Sequence, residues 1–495
     1  MSTPSALVVG SGPNGLAAGI VLAQAGVRVR ILERAATAGG GLATLPLTLP
    51  GFLHDHCSAI HPLAAASPFF ASLPLAEHGL RWVRSPAALA HPFDDGTAAL
   101  LFPSLAETGA TLGPDARTWS ALFQGFTAAF EELVAELLAP PLHRPRHPLL
   151  LLRFGAAAVL PVAALARARL RGPRARALLG GLAAHAGRPL SAAGTSAFGL
   201  LLGAAGHAVG WPFPAGGAGG LAAALAAVLR AHGGTIETDA ELTTLEAAPA
   251  DATVLDLAPQ GLLRLAGERL PARYARRLAR YRHGPGAFKL DWALSGPIPW
   301  RAPECGLAAT VHLGGTLEEI ARAEREADRG IFPARPFVLL AQHTLFDPSR
   351  APPGQHTAWA YAHVPRGHDG ELAHAAAALE DQVERFAPGF RERILARAVR
   401  PPRALEAENP NLVGGDVGGG ENGLSQLWAR PVASASPWRT PVPGLFLCSA
   451  ATPPGGGVHG MCGYHAARAA LDYLDRRVAP GAGRSTPAIP WSRPR

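Results

Sequence analysis

Three glycines near the amino terminus stand in the spacing Gly10-x-Gly12-x-x-Gly15. The apolar run before them is typical of a buried parallel strand, helical spacing follows them, and Glu33 ends the next predicted strand. In such a unit the first glycine allows the tight turn, the second lets the backbone approach a pyrophosphate, and the third permits close packing of helix on strand. The sequence therefore predicts a dinucleotide site, with the pyrophosphate at the helix N-terminus and a ribose at Glu33. A tight turn without a ligand is the alternative.

A second glycine-rich loop lies near the carboxyl terminus. It spans Thr452 to Gly460, between a predicted strand over Gly444 to Ala450 and a predicted helix that begins at Met461. This loop would bring backbone N–H groups to the positive end of a helix, where negative charge is stabilised. His459, inside the loop, would either face the bound group or cap the loop. A further glycine-dense segment, Gly414 to Gly420, is predicted near the mouth of a substrate site, with an ordinary flexible connection as the alternative.

The stretch from Gly10 to Gly40 resembles the FAD fingerprint of the amine-oxidase-like flavoproteins, because a second glycine pair, Gly39-Gly40, follows Glu33. Gly19 stands where that fingerprint usually has alanine. In this superfamily the paired glycines pass beside the FAD pyrophosphate and the flavin. The resemblance therefore indicates FAD as the cofactor, rather than a nicotinamide dinucleotide.

Two later segments resemble the carotenoid desaturases and their relatives, which include carotenoid isomerases and retinol saturases. The loop that ends at Gly460 is similar to their C-terminal flavin motif. Pro214 to Gly217, followed by a helix and two short predicted strands over Thr235 to Glu246, is similar to the segment that flanks the adenine in these proteins. By this resemblance the cofactor-binding residues are Gly10, Gly12, Pro13, Asn14, Gly15, Glu33, Arg34, Gly39, Gly40, Gly41, Leu42, Leu242, Ala450, Gly457, Val458, Gly460 and Met461.

Lys289 is the only lysine in the chain and lies on a predicted strand that begins at Phe288. Alternation places it on the same face as Asp291 and opposite Phe288. In related amine oxidases a lysine on a comparable strand holds a water at flavin N5, and Arg does not replace a compact, titratable ammonium. We therefore predict Lys289 and His459 as catalytic residues. The alternative for Lys289 is a surface ion pair with Asp291 on an edge strand, which would contribute little.

Metal and thiol chemistry find little support in the sequence. His54, Asp55, His56 and His61 cluster, but they lack a second group of ligands, so no metal site is predicted. In the carotenoid desaturases a similar G-F-x-x-D segment, here Gly51 to Asp55, runs beside the cofactor. The four cysteines show no paired motif, and a disulfide reductase of this fold would need one near the first glycine motif, where only Cys57 lies.

Composition excludes several other classes of protein. The 495 residues are 48% hydrophobic and 17% charged, which argues against disorder, and the net charge of +8 comes from dispersed arginines without a nucleic-acid recognition motif. We therefore predict no nucleic-acid partner. The first five residues lack the charged region of a signal peptide, and no uninterrupted apolar run reaches 18 residues. These features, with four unpaired cysteines, predict a cytoplasmic protein.

Five arginines between Arg167 and Arg176 follow the apolar stretch Phe154 to Leu165. An apolar helix flanked by arginines is typical of a peripheral contact with an anionic membrane surface. A solvated helix face and an oligomer contact are the alternatives.

The sequence thus predicts an α/β protein with a doubly wound, discontinuous, Rossmann-like FAD-binding domain and an α+β substrate domain, similar to the amine oxidases and carotenoid desaturases. The predicted ranges are 1–75, 214–285 and 430–478 for the first domain, 76–213 and 286–429 for the second, and 479–495 for a frayed tail. The predicted function is FAD-dependent oxidation or reduction of an apolar, isoprenoid or polyene-like substrate, with oxygen or a quinone as electron acceptor. A flavin amine oxidase and a non-catalytic, membrane-associated flavin-binding protein are the alternatives.

Overall fold

Strands and helices alternate along residues 3–478, the part of the chain that the computed structural model describes. The strands are β1 (Ser5–Val9), β2 (Arg28–Leu32), β3 (Thr44–Leu45), β4 (His54–Asp55), β5 (Trp82–Val83), β6 (Leu89–Pro92), β7 (Ala98–Leu101), β8 (Phe213–Pro214), β9 (Thr235–Glu237), β10 (Ala252–Leu255), β11 (Gly286–Leu294), β12 (Thr310–Leu313), β13 (Val338–Ala341), β14 (His356–Val364), β15 (Ile394–Arg400) and β16 (Leu445–Leu447). The helices are α1 (Pro13–Gln24), α2 (Pro62–Ala65), α3 (Pro68–Ala71), α4 (Leu105–Leu112), α5 (Ala116–Ala128), α6 (Phe130–Leu137), α7 (Pro148–Ala158), α8 (Val162–Arg169), α9 (Pro173–Ala184), α10 (Thr195–Ala208), α11 (Gly219–Ala231), α12 (Pro259–Ala266), α13 (Ala272–Ala279), α14 (Leu317–Asp328), α15 (Leu372–Phe386), α16 (Pro402–Glu408), α17 (Leu424–Trp428) and α18 (Met461–Val478).

The first sheet is parallel and has the order β16-β10-β1-β2-β9. Its strands come from three separate stretches of the chain, so segments more than 400 residues apart complete one layer. Apolar side chains cover both faces of β1 and β10, as expected for parallel strands buried between helices. Helices α1, α11 and α18 pack on one face, and α12 and α13 pack on the other. This Rossmann-like layer confirms the predicted fold class.

The second sheet is mixed and has the order β15-β11-β14-β13-β12-β6-β7. Its pairs are antiparallel except for β12 with β6. Strand β11 lies between β14 and β15, so it is a central strand. The alternative of a surface pair assumed an edge strand, and strand β15 was not among the predicted strands.

One face of the second sheet is apolar, and the other carries polar and aromatic side chains. Phe288, Leu290 and Trp292 point to one face, where they pack with α15 in an apolar core. Lys289 and Asp291 point to the other, and Lys289 lies opposite Tyr361 while Asp291 lies opposite Trp359. This second face is the polar and aromatic one.

One sequence prediction about local structure is wrong. The stretch Thr235 to Glu246 forms only one strand, β9, because Asp239 adopts a left-handed backbone (φ 53°) that ends it. The apolar stretch Phe154 to Leu165 is divided at Pro161, where the sequence predicts a helix break, and α7 and α8 meet there with a bend of 95°. No single helix within residues 3–478 meets the length and hydropathy of a membrane span, although this bent pair does when taken together. The tail predicted over 479–495 lies outside the described residues.

Candidate active site

The first glycine motif forms the turn between β1 and α1. A Cβ on Gly15 would lie 2.0 Å from the carbonyl oxygen of Gly10, so no other residue fits this close approach. No side chain caps the N-terminus of α1, whose N-cap residue is Gly12. At the first turn, Asn14 Oδ1 is buried and has no hydrogen-bond partner among the described residues. An uncapped helix N-terminus with room for backbone approach fits a pyrophosphate.

A buried carboxyl group that sequence analysis missed lies directly against this turn. Asp256 follows β10, and its Oδ2 accepts the N–H of Gly15 at 2.9 Å. A Cβ on Gly12 would come within 2.7 Å of the same oxygen. Burial raises the pKa of Asp256 to about 7, with the charge of Glu33 adding to the rise. The signal available in the sequence was an acidic residue near the carboxyl end of a predicted buried strand.

The second glycine pair packs against the first motif. A Cβ on Gly40 would lie 3.2 Å from the Cα of Gly12, so the two glycine segments touch. Ser11 Oγ accepts the N–H of Gly39 at 3.1 Å. The two segments therefore form one continuous backbone cradle.

Glu33 lies beside this cradle, at the end of β2. Its Oε2 accepts both the N–H and the hydroxyl of Ser11, and its Oε1 accepts the N–H of Ala35. Oε1 therefore retains acceptor capacity for a ribose hydroxyl. Arg34 is exposed and reaches the carbonyl of Ala407 at 3.4 Å. Leu242 is buried on the same side, after β9 rather than within it.

The C-terminal glycine loop is held against the segment Gly414 to Gly420. A Cβ on Gly456 would lie 2.4 Å from the carbonyl oxygen of Gly418. The buried guanidinium of Arg430 donates to the carbonyls of Ala450, Gly420 and Glu421 and so fastens both loops. Gly414 to Gly420, predicted near the mouth of the substrate site, thus contacts the predicted flavin loop.

His459 caps the helix that follows this loop. Burial lowers its pKa to about 4, so the imidazole is neutral, and its Nδ1 accepts the N–H of Met461 at 3.0 Å. This contact corresponds to the capping alternative of the sequence analysis. The ring also lines the cavity described next, and a catalytic role stays a prediction.

One cavity of about 930 Å³ joins these parts, near the upper end of the range of about 300–1,000 Å³ typical of ligand sites. The predicted residues that line it are Gly10, Gly12, Pro13, Asn14, Glu33, Arg34, Gly40, Gly41, Leu42, Leu242, Lys289, Ala450, Gly457, Val458 and His459. Gly15, Gly39, Gly460 and Met461 lie behind the wall, where they pack helices and turns together.

Lys289 lies in the wall of this cavity and pairs with Asp291. The surface alternative for this pair is wrong, because the two side chains are 3% and 0% exposed. Burial lowers the pKa of Lys289 and raises that of Asp291, since desolvation opposes both charges. Lys289 Nζ also lies 5.6 Å from the ring centroid of Trp359.

The cavity continues from Lys289 into a region lined by apolar and aromatic side chains. Helix α10 forms one side of this region. The face of the second sheet that carries Trp359 and Tyr361 forms another. The lining residues of this region, called the distal end below, are Leu137, Leu138, Phe154, His185, Ala197, Phe198, Leu201, Leu202, Trp211, Thr310, Leu339, Leu340, Ala341, Trp359 and Tyr361. Trp359 and Tyr361 were missed by the sequence analysis, although alternation from Thr357 to Val364 places both on one face of β14.

Side chains of the histidine cluster after Gly51 bind other groups of the protein. Asp55 accepts from Arg350, Thr44 and the N–H of Ala218, which ties β4 to the start of α11. His54 and His61 contact hydroxyl groups of Thr48 and Ser58. No group of three metal-ligating side chains occurs within residues 3–478.

The cysteines have no features of a redox pair. All four are free, and Cys57 is the one that lines the cavity. Burial raises its pKa to about 11, so the thiol stays protonated at neutral pH and is a poor nucleophile.

Comparisons with known proteins agree with this geometry. Residues 8–73 match the family described as the NAD(P)-binding Rossmann-like domain. The rat protein named "Pyridine nucleotide-disulfide oxidoreductase domain-containing protein 2" is 27% identical, over 93% of this chain and 92% of that protein. The corresponding mouse protein is 26% identical over the same shares.

Solved structures of oxidases and of another oxidoreductase share the fold. An oxidoreductase from Methanosarcina mazei superposes with a TM-score of 0.62 at 16% identity, covering 94% of this chain and all of that one. Putrescine oxidase bound to putrescine gives 0.58 at 16%, and cyclohexylamine oxidase from Brevibacterium oxydans gives 0.58 at 15%, each covering 96% of this chain and all of the other. The chain therefore has the amine-oxidase-like fold, and the matches together support a nucleotide-dependent oxidoreductase. The resemblance to carotenoid desaturases in particular stays a prediction.

We expect Glu33→Ala to weaken FAD binding by about 1.5–3 kcal/mol, the range for a hydrogen bond to a charged group. The measurement is fluorescence titration of the apoprotein with FAD. Glu237→Ala, which removes an exposed carboxylate from the neighbouring strand β9, is the control and should bind FAD as the wild type does. Equal affinities for the Glu33 and Glu237 variants would contradict a ribose contact at Glu33.

Proposed function

We propose that the protein is a FAD-dependent oxidoreductase that acts on an uncharged, apolar substrate of isoprenoid or polyene type. The observation that carries this proposal is the single cavity that runs from the glycine cradle, past Lys289, to the apolar distal end. Bound in this cavity, FAD would supply hydride transfer at its N5 position. The protein would bind and orient both molecules and exclude water from between them.

The chain's own residues suit these tasks. The N-terminus of α1 and the backbone around Gly12 and Gly40 would hold the pyrophosphate, and Glu33 would hold the ribose. The N-terminus of α18, next to the glycine loop, would stabilise negative charge on a reduced flavin. Lys289 would hold a proton at its Nζ in the cavity wall between the cradle and the distal end.

An uncharged substrate is favoured over an amine by the charges around the distal end. The acidic residues that line the cavity are Glu33, Glu241, Asp256, Glu406 and Glu408. None of these belongs to the distal end as defined above. The aromatic face of Trp359 already has the Lys289 ammonium above it, so a second cation there would be repelled. A flavin amine oxidase is the second candidate, because putrescine oxidase and cyclohexylamine oxidase share the fold.

The experiment first identifies the bound cofactor and then asks which class of substrate reduces it. Purified protein should release FAD on denaturation, and anaerobic addition of a polyene or other isoprenoid should bleach the flavin absorbance. Putrescine and cyclohexylamine are the matched amine probes and should leave it unchanged. Bleaching by an amine alone would favour the amine oxidase, and a flavin that no compound bleaches would favour the non-catalytic alternative. Reoxidation by oxygen or by a quinone then distinguishes the two proposed electron acceptors.

We also propose that the protein binds the surface of an anionic membrane through α7 and the segment before it, from the cytoplasmic side. Leu142, Leu149 and Leu152 are 70–80% exposed, which is unusual for three leucines so close in a soluble protein. Residues 139–161 contain three arginines and no acidic residue. The opposite side of α7 carries Phe154, which lines the cavity, so a lipid-soluble substrate would enter close to the membrane.

This placement differs from the surface that the sequence predicted. Val162 and Leu165 of α8 are buried, and Arg167 pairs with Glu318. The exposed apolar surface therefore precedes Pro161, on α7.

We expect Leu149→Ser/Leu152→Ser to reduce binding to vesicles by about tenfold or more, because each buried leucine contributes about 1.5–3 kcal/mol. The assay is co-sedimentation with phosphatidylcholine vesicles that contain about 30% phosphatidylglycerol, because this anionic lipid gives the vesicles a negative surface. Ile331→Ser, another exposed apolar residue on a distant turn, is the control. Equal sedimentation of all three proteins would contradict the proposal, and self-association of the wild type would favour an oligomer contact.

A further inference from the structure

The buried pair of Lys289 and Asp291 is the inner end of a longer row of polar groups. Behind Asp291 lies His54, whose Nδ1 faces Asp291 Oδ1 at 3.6 Å. Both atoms are buried, and neither has a hydrogen-bond partner among the described residues. On the other side of the ring, His54 Nε2 lies 2.8 Å from the hydroxyl of Thr48, which is only half-buried. The row thus leads from the cavity wall towards the surface.

We propose that Thr48, His54 and Asp291 form a proton path that connects Lys289 with solvent. For inward transfer, water gives a proton to Thr48 Oγ1, and the Thr48 hydroxyl gives its own to His54 Nε2. After Lys289 Nζ has released a proton into the cavity and is a neutral amine, His54 Nδ1 passes its proton to Asp291, and Asp291 passes one to Nζ, which restores the ammonium. Each intermediate group accepts one proton and donates one, so no charge accumulates along the row.

The electrostatics of the row suit this transfer. Burial and the nearby Lys289 charge together lower the pKa of His54 to about 3, so one ring nitrogen is free to accept. Burial acts against both charges of the Lys289–Asp291 pair, which brings their proton affinities closer together. The 3.6 Å separation is longer than a hydrogen bond, and a small rotation of the His54 ring closes it. Such contacts are often long before a ligand binds.

A neighbouring histidine provides a control, because it lies close to Lys289 but outside the row. His56, two residues further along the chain, contacts Glu408 at 3.3 Å and Arg400 at 3.3 Å. Arginine keeps its protons at all working pH values and therefore does not relay them. Removal of the His56 imidazole should leave the path intact.

The single lysine of the chain allows a direct test. Protein labelled with [15N]lysine has one Nζ signal, and NMR measures how fast its protons exchange with water. We expect Thr48→Val and His54→Gln to slow this exchange by about a hundredfold or more, the range for loss of a positioned proton-transfer group. Thr48→Ser, which keeps the hydroxyl, and His56→Gln should exchange as the wild type does. Thermal unfolding of each variant shows whether the fold is retained.

The outcomes separate this path from the proposed function. Any use of this proton in turnover rests on the proposed function. The exchange rate does not, because it is measured both with and without FAD. Fast exchange in a folded Thr48→Val protein would overturn the path, whether or not FAD binds. Slow exchange in that variant together with a failure to bind FAD would support the path and contradict the flavin function.

Discussion

Asp256→Asn should remove the fall in stability that Asp256 alone contributes as pH rises from 4 to 7, measured as the difference between the variant and the wild type. Burial raises the pKa of Asp256 from 3.8 to about 7 in the folded protein. The fold therefore favours the protonated carboxyl group, and its contribution to stability is complete below pH 3.8 and lost as pH rises through 7. The expected loss is about 1.4 kcal/mol per pH unit, or about 4 kcal/mol in all. An asparagine oxygen can still accept the N–H of Gly15, so the turn should keep its shape.

The measurement is the free energy of unfolding in urea at pH 5, 6 and 7. Asp251→Asn is the matched control, since this exposed carboxylate at the other end of β10 has a lowered pKa, is ionised in both states above pH 5, and should leave the slope between pH 5 and pH 7 unchanged. Parallel pH profiles for Asp256→Asn and wild type would show that Asp256 is ionised in the fold.

The same substitution should alter cofactor binding. A pyrophosphate at the N-terminus of α1 would add negative charge beside Asp256 and favour its protonated form further. FAD affinity of the wild type should therefore fall as pH rises from 7 to 9, and that of Asp256→Asn should change less. Titrations of the apoprotein with FAD at pH 7, 8 and 9 provide the comparison.

Local spacing was sufficient to predict the strand-turn-helix unit around Gly10, because the requirements of that turn are met by residues close in sequence. The role of Asp256 was not predictable in this way. Its contact with Gly15 joins residues 241 positions apart and exists because β10 lies next to β1. Strand order is set by the packing of the whole sheet, which single-sequence patterns do not contain.

Lys289 illustrates a second limit. Alternation correctly placed Lys289 and Asp291 on one face of β11, since the side-chain period of a strand is two. Whether that face is exposed to solvent or buried depends on the strands that pair with β11. Strand β15 has Arg397 and Arg400 among its apolar residues and no clear alternation, so its pairing with β11 was missed. That pairing makes β11 central and buries the pair.

Burial of this pair determines what its removal should cost. We expect Lys289→Met to lower the free energy of unfolding by about 3–5 kcal/mol, because it leaves Asp291 buried without its partner. Lys289→Met/Asp291→Asn should recover most of this loss, since no unpaired charge remains. Arg167→Met is the control, as its pair with Glu318 is more than half exposed and should contribute about 1 kcal/mol or less.

Urea unfolding of the four proteins, each with its flavin absorbance recorded first, decides between three explanations of the pair. A large loss that the double variant restores supports a buried ion pair whose main cost is the uncompensated carboxylate. An equal loss in the single and double variants would instead assign the effect to the packing of the Lys289 side chain against Trp359 and Tyr361. A loss no larger than that of Arg167→Met would mean that water reaches the pair, and this would contradict both its buried state and its place in a water-excluding cavity wall.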